Sequence, residues 1–185
     1  MKVAVFGGSF NPPHVAHVLA CALVLSVEDV DRVLVVPAYR HPFAKPLAPY
    51  DDRVAMCELG MGRLAGVEVS RVEEELGGES RTLRTLEHLA ATHGDWRLRL
   101  VIGADILAET PKWFGFDAIT RLAPPLVLAR AGVEAPGAGP PLLPEVSSTK
   151  VRAAIARGAW EEAAKLLPRG VLAHVRERGL YGAPA

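Results

Sequence analysis

The sequence predicts an α/β fold, a Rossmann-like doubly wound parallel sheet of about five strands with a C-terminal helical tail. Three observations carry that reading. Short β-rich runs alternate with longer stretches of helical period. Three of the runs are nearly unbroken apolar residues, as parallel strands covered on both faces require. Half of the 185 residues are hydrophobic, enough for one substantial core.

Strands are expected at Lys2–Phe6, Arg32–Val36, Val67–Ser70, Leu98–Ile102 and Leu126–Arg130. Val15–Ser26, Asp51–Leu64 and Thr82–His93 carry apolar residues at three- and four-residue spacing and read as the intervening helices. Residues 1–130 thus form the sheet core. With three glycines and four prolines, Ala131–Val146 reads as a loop holding one short extended piece at Leu142-Leu143. The tail, 147–185, reads as helices at Ser148–Arg157, Trp160–Leu167 and Arg169–Arg178. No repeat divides the chain, so 1–185 is expected to be one domain. In such sheets ligands bind beyond the carboxyl ends of the strands, near the switch in strand order.

Charge narrows the function classes. Lys+Arg 21 balance Asp+Glu 21, giving a net charge of zero and no basic surplus for nucleic acid or an anionic membrane. No segment approaches the roughly 18 unbroken apolar residues of a membrane span, and the N-terminal apolar run is too short for a signal peptide. A soluble cytoplasmic protein is expected, with no nucleic-acid or membrane partner. Cys21 and Cys57 sit in apolar helical stretches without metal-ligand spacing and read as buried thiols.

Two segments carry chemistry. The first strand runs into Gly7-Gly8-Ser9-Phe10-Asn11-Pro12-Pro13-His14-Val15-Ala16-His17 and then a helix. Glycines let the main chain approach a ligand closely, and the amides of a following helix start favour an anion. His14 and His17, three apart, share a helix face and can both donate to a phosphate. The pair could also be a zinc half-site, but no third ligand has suggestive spacing. The second segment is Val146-Ser147-Ser148-Thr149-Lys150-Val151-Arg152. Ser147 or Ser148 is a good N-cap, and Arg152 then lies on the first turn, able to fork onto phosphate oxygens. Alone this would be an ordinary capped helix; with the first segment it is a second anion clamp.

Together the two segments resemble the motifs of the nucleotidyltransferase superfamily with paired histidines, G-G-[ST]-F-[DN]-P-x-H-x-G-H early and I-S-S-T-x-x-R late. The resemblance runs from Val3 to Tyr181. Within the superfamily the chain is most similar to the bacterial nicotinate-nucleotide adenylyltransferases. Gly103-Ala104-Asp105 followed by Trp113, the segment Ser80–Leu86, and Arg53 with Met56 all match that family's pattern. Ala16 stands where the family has Gly, Val146 where it has Ile, and Arg81 where it has Tyr; Arg40–Lys45 departs from P-P-H-K but keeps a cation at Lys45.

The resemblance implies transfer of AMP from ATP to nicotinate mononucleotide, releasing pyrophosphate. His14, His17 and Arg152 would be catalytic. Gly7, Gly8, Ser9, Phe10, His17, Gly103, Asp105, Ser147, Ser148, Thr149 and Arg152 would bind ATP. Asn11, Lys45, Thr82, Thr85 and Trp113 would bind the mononucleotide, with Trp113 stacking on its ring. Mg²⁺ would be held mainly by the ATP phosphates, with no metal ligands from the protein; a homo-oligomer is compatible with the sequence. Two alternatives stay open: an adenylyltransferase of another phosphate, such as nicotinamide mononucleotide or phosphopantetheine, and a non-catalytic nucleotide-binding module. Gly103-Ala104-Asp105 with Trp113, and Thr82 with Thr85, argue against phosphopantetheine; intact His14, His17 and Arg152 argue against a non-catalytic role.

Overall fold

Five parallel strands form one sheet in the order β3-β2-β1-β4-β5. The computed structural model describes residues 1–40, 46–104, 106, 110, 113–129, 131 and 143–182. The strands are β1 (Lys2–Gly8), β2 (Arg32–Pro37), β3 (Val67–Val69), β4 (Arg97–Gly103) and β5 (Pro125–Leu128). β1 pairs with β2 on one side and β4 on the other, so strand order reverses beside β1. That is the switch at which a crevice opens beyond the strand ends.

Alternation along the strands builds two cores. Ala4, Val33, Val35 and Val101 face α1 (Val15–Val27) and α2 (Tyr50–Gly60) through Ala20, Cys21, Val24 and Cys57. Val3, Val5, Leu34 and Leu100 face the opposite side, covered by α3 (Val72–Leu76), α4 (Thr82–Thr92) and α5 (Phe116–Leu122). A third cluster joins α6 (Ser148–Ala156), α7 (Trp160–Leu166) and α8 (Arg169–Glu177) to Met56 of α2 and Ala16 of α1. The tail therefore packs against the same body as the sheet, and a 3-10 turn at Leu180–Gly182 follows it.

The expected elements are present with shifted ends. β1 and β4 each reach the glycines that follow the apolar run, and β5 begins at Pro125 and stops before Ala129. The helix expected over Asp51–Leu64 ends at Gly60, where Met61 takes the C-cap. α3 and α5 were not expected; both are short, five and seven residues. Leu143 exchanges main-chain hydrogen bonds with Ala129 and Ala131, an extended piece continuing the β5 edge. Leu142 and most of the expected 131–146 loop lie outside the described residues.

Two polar networks hold α2 in place. Arg53, only 1% exposed, donates to the carbonyls of Ala48, Ser9, Ala38 and Tyr39, tying the β1 loop, the β2 loop and the start of α2 together. Asp52, also buried, accepts from His174 Nε2 at 2.9 Å and Arg178 Nε at 3.0 Å, fastening α2 to α8. Both thiols are buried, and burial pushes Cys21 up to about 12 and Cys57 well above its ordinary value, leaving them inert. No described helix is long and apolar enough to cross a membrane.

Candidate active site

A cleft of about 530 Å³ opens at the carboxyl ends of β1 and β4, beside the switch in strand order. That volume lies in the range of small-molecule sites. At Gly7 a Cβ would meet nothing within 4 Å, so the main chain there stands open to the cleft. At Gly8 a Cβ would come within 3.1 Å of the Phe10 ring, a close approach that favours glycine at that turn. Phe10 itself takes φ 45° and is 2% exposed, its ring edge-on to Phe6 and to His17. Phe10 thus packs directly against His17.

His14 and His17 are brought together as expected. The rings stack at 3.8 Å between centroids, 24° apart, with His14 buried beneath His17. The His14 main-chain N–H donates to His17 Nδ1 at 3.0 Å. That bond requires a lone pair on Nδ1, so in the neutral ring the proton sits on Nε2, the nitrogen available as a donor.

The second segment docks onto the first. Ser147 caps α6 by accepting from the Lys150 N–H. Ser148 Oγ donates to the Pro12 carbonyl at 2.9 Å, and Arg152 donates to the Asn11 carbonyl at 2.8 Å and to Thr149 Oγ1 at 3.3 Å. The starts of α1 and α6 are therefore held side by side. Neither has an acidic residue in its first turn, and neither does α4. α2, α3, α5 and α7 all do. α8 also lacks one but starts away from the cleft. Three helix starts with uncompensated positive ends thus converge on the cleft, a setting for anions.

The other expected residues divide. Gly7, Gly8, Ser9, Gly103, Ser148, Thr82, Thr85 and Trp113 line the cleft, whereas Ser147, Thr149 and Arg152, neighbours of Ser148 in α6 and its cap, do not. Asn11 is 4% exposed and braces the loop, its Oδ1 accepting from Ala48 N–H and its Nδ2 donating to the Pro46 carbonyl. Thr85 is 2% exposed, and its hydroxyl donates to the Glu73 carboxylate. Trp113 is half-buried against the second core, edge-on to Phe116 at 6.2 Å. Asp105 and Lys45 lie outside the described residues.

Sequence reasoning passed over Glu73, Phe114 and the bracing by Arg53. Glu73 sits in the acidic helix α3, where nothing in the pattern separates a buried carboxylate from its solvated neighbours. Phe114 lines the cleft mouth at 71% exposure, next to the tryptophan that drew attention instead. Among the described residues no group of three or more His, Cys, Asp or Glu side chains could hold a metal.

Comparison with known proteins agrees with this geometry. The family model described as cytidylyltransferase-like matches residues 5–154. A protein of Anaeromyxobacter sp. (strain K) named "Probable nicotinate-nucleotide adenylyltransferase" is 49% identical over 97% of this chain and 96% of its own. A Myxococcus xanthus protein of the same name is 45% identical over 98% of this chain and 95% of its own. The nicotinic acid mononucleotide adenylyltransferase of Plasmodium falciparum, solved in complex with NaAD, superposes with a TM-score of 0.83 over 99% of this chain and 98% of that one. At 14% identity that likeness speaks for the fold. With a cleft of this form and relatives this close over nearly its whole length, the chain belongs to the nicotinate-nucleotide adenylyltransferase family within the cytidylyltransferase-like proteins.

Proposed function

We propose that the chain joins the AMP moiety of ATP to nicotinate mononucleotide, giving nicotinate adenine dinucleotide and pyrophosphate. The observation that carries this is the convergence of α1, α6 and α4 starts on one cleft, two of them at the histidine end and one at the far end. Such a cleft suits a substrate pair with phosphates at one end and a carboxylate at the other.

The acceptor's 5′-phosphate is already ionised at neutral pH, so the reaction needs no protein base and no covalent nucleophile. The attacking oxygen forms a bond to the α-phosphorus as the bond to the bridging oxygen breaks, and pyrophosphate leaves. Catalysis reduces to positioning and charge stabilisation. Gly7 lets the α-phosphate lie against the main chain. His17 Nε2–H donates to it, held in aim by the His14 N–H on Nδ1. The amides of Ser148 and Thr149, which have no intrahelical acceptor at a helix start, face the departing β- and γ-phosphates. Arg152 adds charge there while keeping α6 seated on the α1 loop.

Mg²⁺ would be held mainly by the phosphates of ATP at this end of the cleft. When bound it draws charge off the phosphate oxygens. At the far end the α4 amides and the Thr82 hydroxyl meet the pyridine carboxylate, and Trp113 offers a ring face. Pyrophosphate release measured against a panel of phosphate acceptors tests the reading. Nicotinate mononucleotide should exceed the nicotinamide form by at least about tenfold in kcat/KM, about 1.4 kcal/mol. Equal use of both, or preference for phosphopantetheine, would reassign the acceptor.

A further inference from the structure

Two residues at the mouth of the cleft have no part in the reaction as derived so far, Arg81 and Phe114. Among the described residues lining the cleft, Arg81 is the only Arg or Lys, and Glu73 is the only acid. Phe114 is 71% exposed, more than any other large apolar side chain described. The main-chain turn beside it is closely packed. Gly115 follows it at φ 71°, and a Cβ there would come within 2.6 Å of Leu83, so the turn is pressed against the first turn of α4.

Arg81 is held at its main chain and loose at its side chain. On one side Ser80 is pinned, its N–H donating to the Arg40 carbonyl and its Oγ accepting from Tyr39 N–H. On the other side α4 begins at Thr82. The guanidinium lies 5.9 Å from the Phe114 ring centroid and donates to Glu79 at 3.0 Å, an ion pair with both side chains at least half exposed. An exposed pair of this kind is weak and readily exchanged.

We propose that Arg81 is the residue that selects the acid: its guanidinium leaves Glu79 for the pyridine carboxylate of the mononucleotide, with Phe114 as the wall on which guanidinium and ring pack. This rests on the acceptor assigned above. A guanidinium only donates and a carboxylate only accepts, so the two meet through parallel charge-assisted bonds. A carboxamide presents an N–H₂ group that would face donors, and it carries no charge.

The test is kcat/KM for the acid and amide mononucleotides in the wild type, Arg81→Gln and Glu79→Gln, with ATP KM and melting temperature alongside. Arg81→Gln should lower the acid value about tenfold while leaving the amide value, ATP KM and melting temperature unchanged. Glu79→Gln, which removes the competing partner, should raise the acid value. If Arg81→Gln leaves the acid-to-amide ratio at the wild-type level, or Glu79→Gln lowers the acid value, Arg81 is not the selecting residue. A wild type that turns over neither mononucleotide would instead overturn the acceptor assignment, which separates the two failures.

Discussion

Replacing Arg53 by Met keeps the stem of the side chain and removes the guanidinium. Three main-chain carbonyls then lose a well-placed donor: Ala38 at 2.7 Å, Ala48 at 3.0 Å and Ser9 at 3.1 Å. The fourth bond, to Tyr39, is 3.4 Å and counts for little. A buried acceptor left without a partner costs about 1–3 kcal/mol. Against this, burial disfavours the charged guanidinium, so removing it recovers part of the loss. The balance is a destabilisation of about 3 kcal/mol, which in a chain of this size lowers the melting temperature by about 6–12 °C. Because Ser9 sits between the Gly7-Gly8 turn and the histidines, the variant should also raise the ATP KM at temperatures where it is still folded. Thermal melts with and without ATP, followed by initial rates, measure both. A melting temperature within 2–3 °C of wild type, beside an unchanged KM, would refute the bracing role.

Three further outcomes follow from the same geometry. His17→Ala should lower kcat on the order of 10²–10³ with its fold intact; near wild-type turnover would remove His17 from the transition state. Arg152→Ala should raise the ATP KM and lower kcat, with a fall of only about 2–4 °C in apo melting temperature from the lost Asn11 bond; a large fall with unchanged kinetics would make it a purely structural residue. Asp52 is buried, which would raise its pKa, but the bonds from Arg178 and His174 win and hold the carboxyl below its ordinary 3.8. Its contribution to stability is therefore fully present above 3.8 and lost as pH falls from there through the depressed folded value, so Asp52→Asn should be less stable at pH 7 and show a shallower acid transition.

The sheet was legible because its strands lie between two cores and read as apolar runs, and the meeting of the two loop-and-helix segments because glycines, histidines and a capped helix follow one another in fixed spacing. What escaped has a physical cause in each case. α3 is Val-Glu-Glu-Glu-Leu, too short and too acidic to show a period. Arg53 is satisfied by carbonyls, which leave no mark in the sequence of their own residues. Asn11 and Thr85 also hold internal bonds, to the Ala48 N–H and to Glu73, that residue type alone does not reveal. Trp113 lines the cleft and packs partly into the second core while Phe114 beside it stands open, a division of burial that residue type does not show.

The central claim is that the cleft moves the AMP moiety of ATP onto a phosphate acceptor at the pyridine end. Incubating the protein with nicotinate mononucleotide and ATP labelled at the α-phosphorus tests it in one step. The account predicts that the label appears in nicotinate adenine dinucleotide, at the rate at which unlabelled pyrophosphate is released. Label found in free AMP or left in ATP, with no dinucleotide formed, would contradict it.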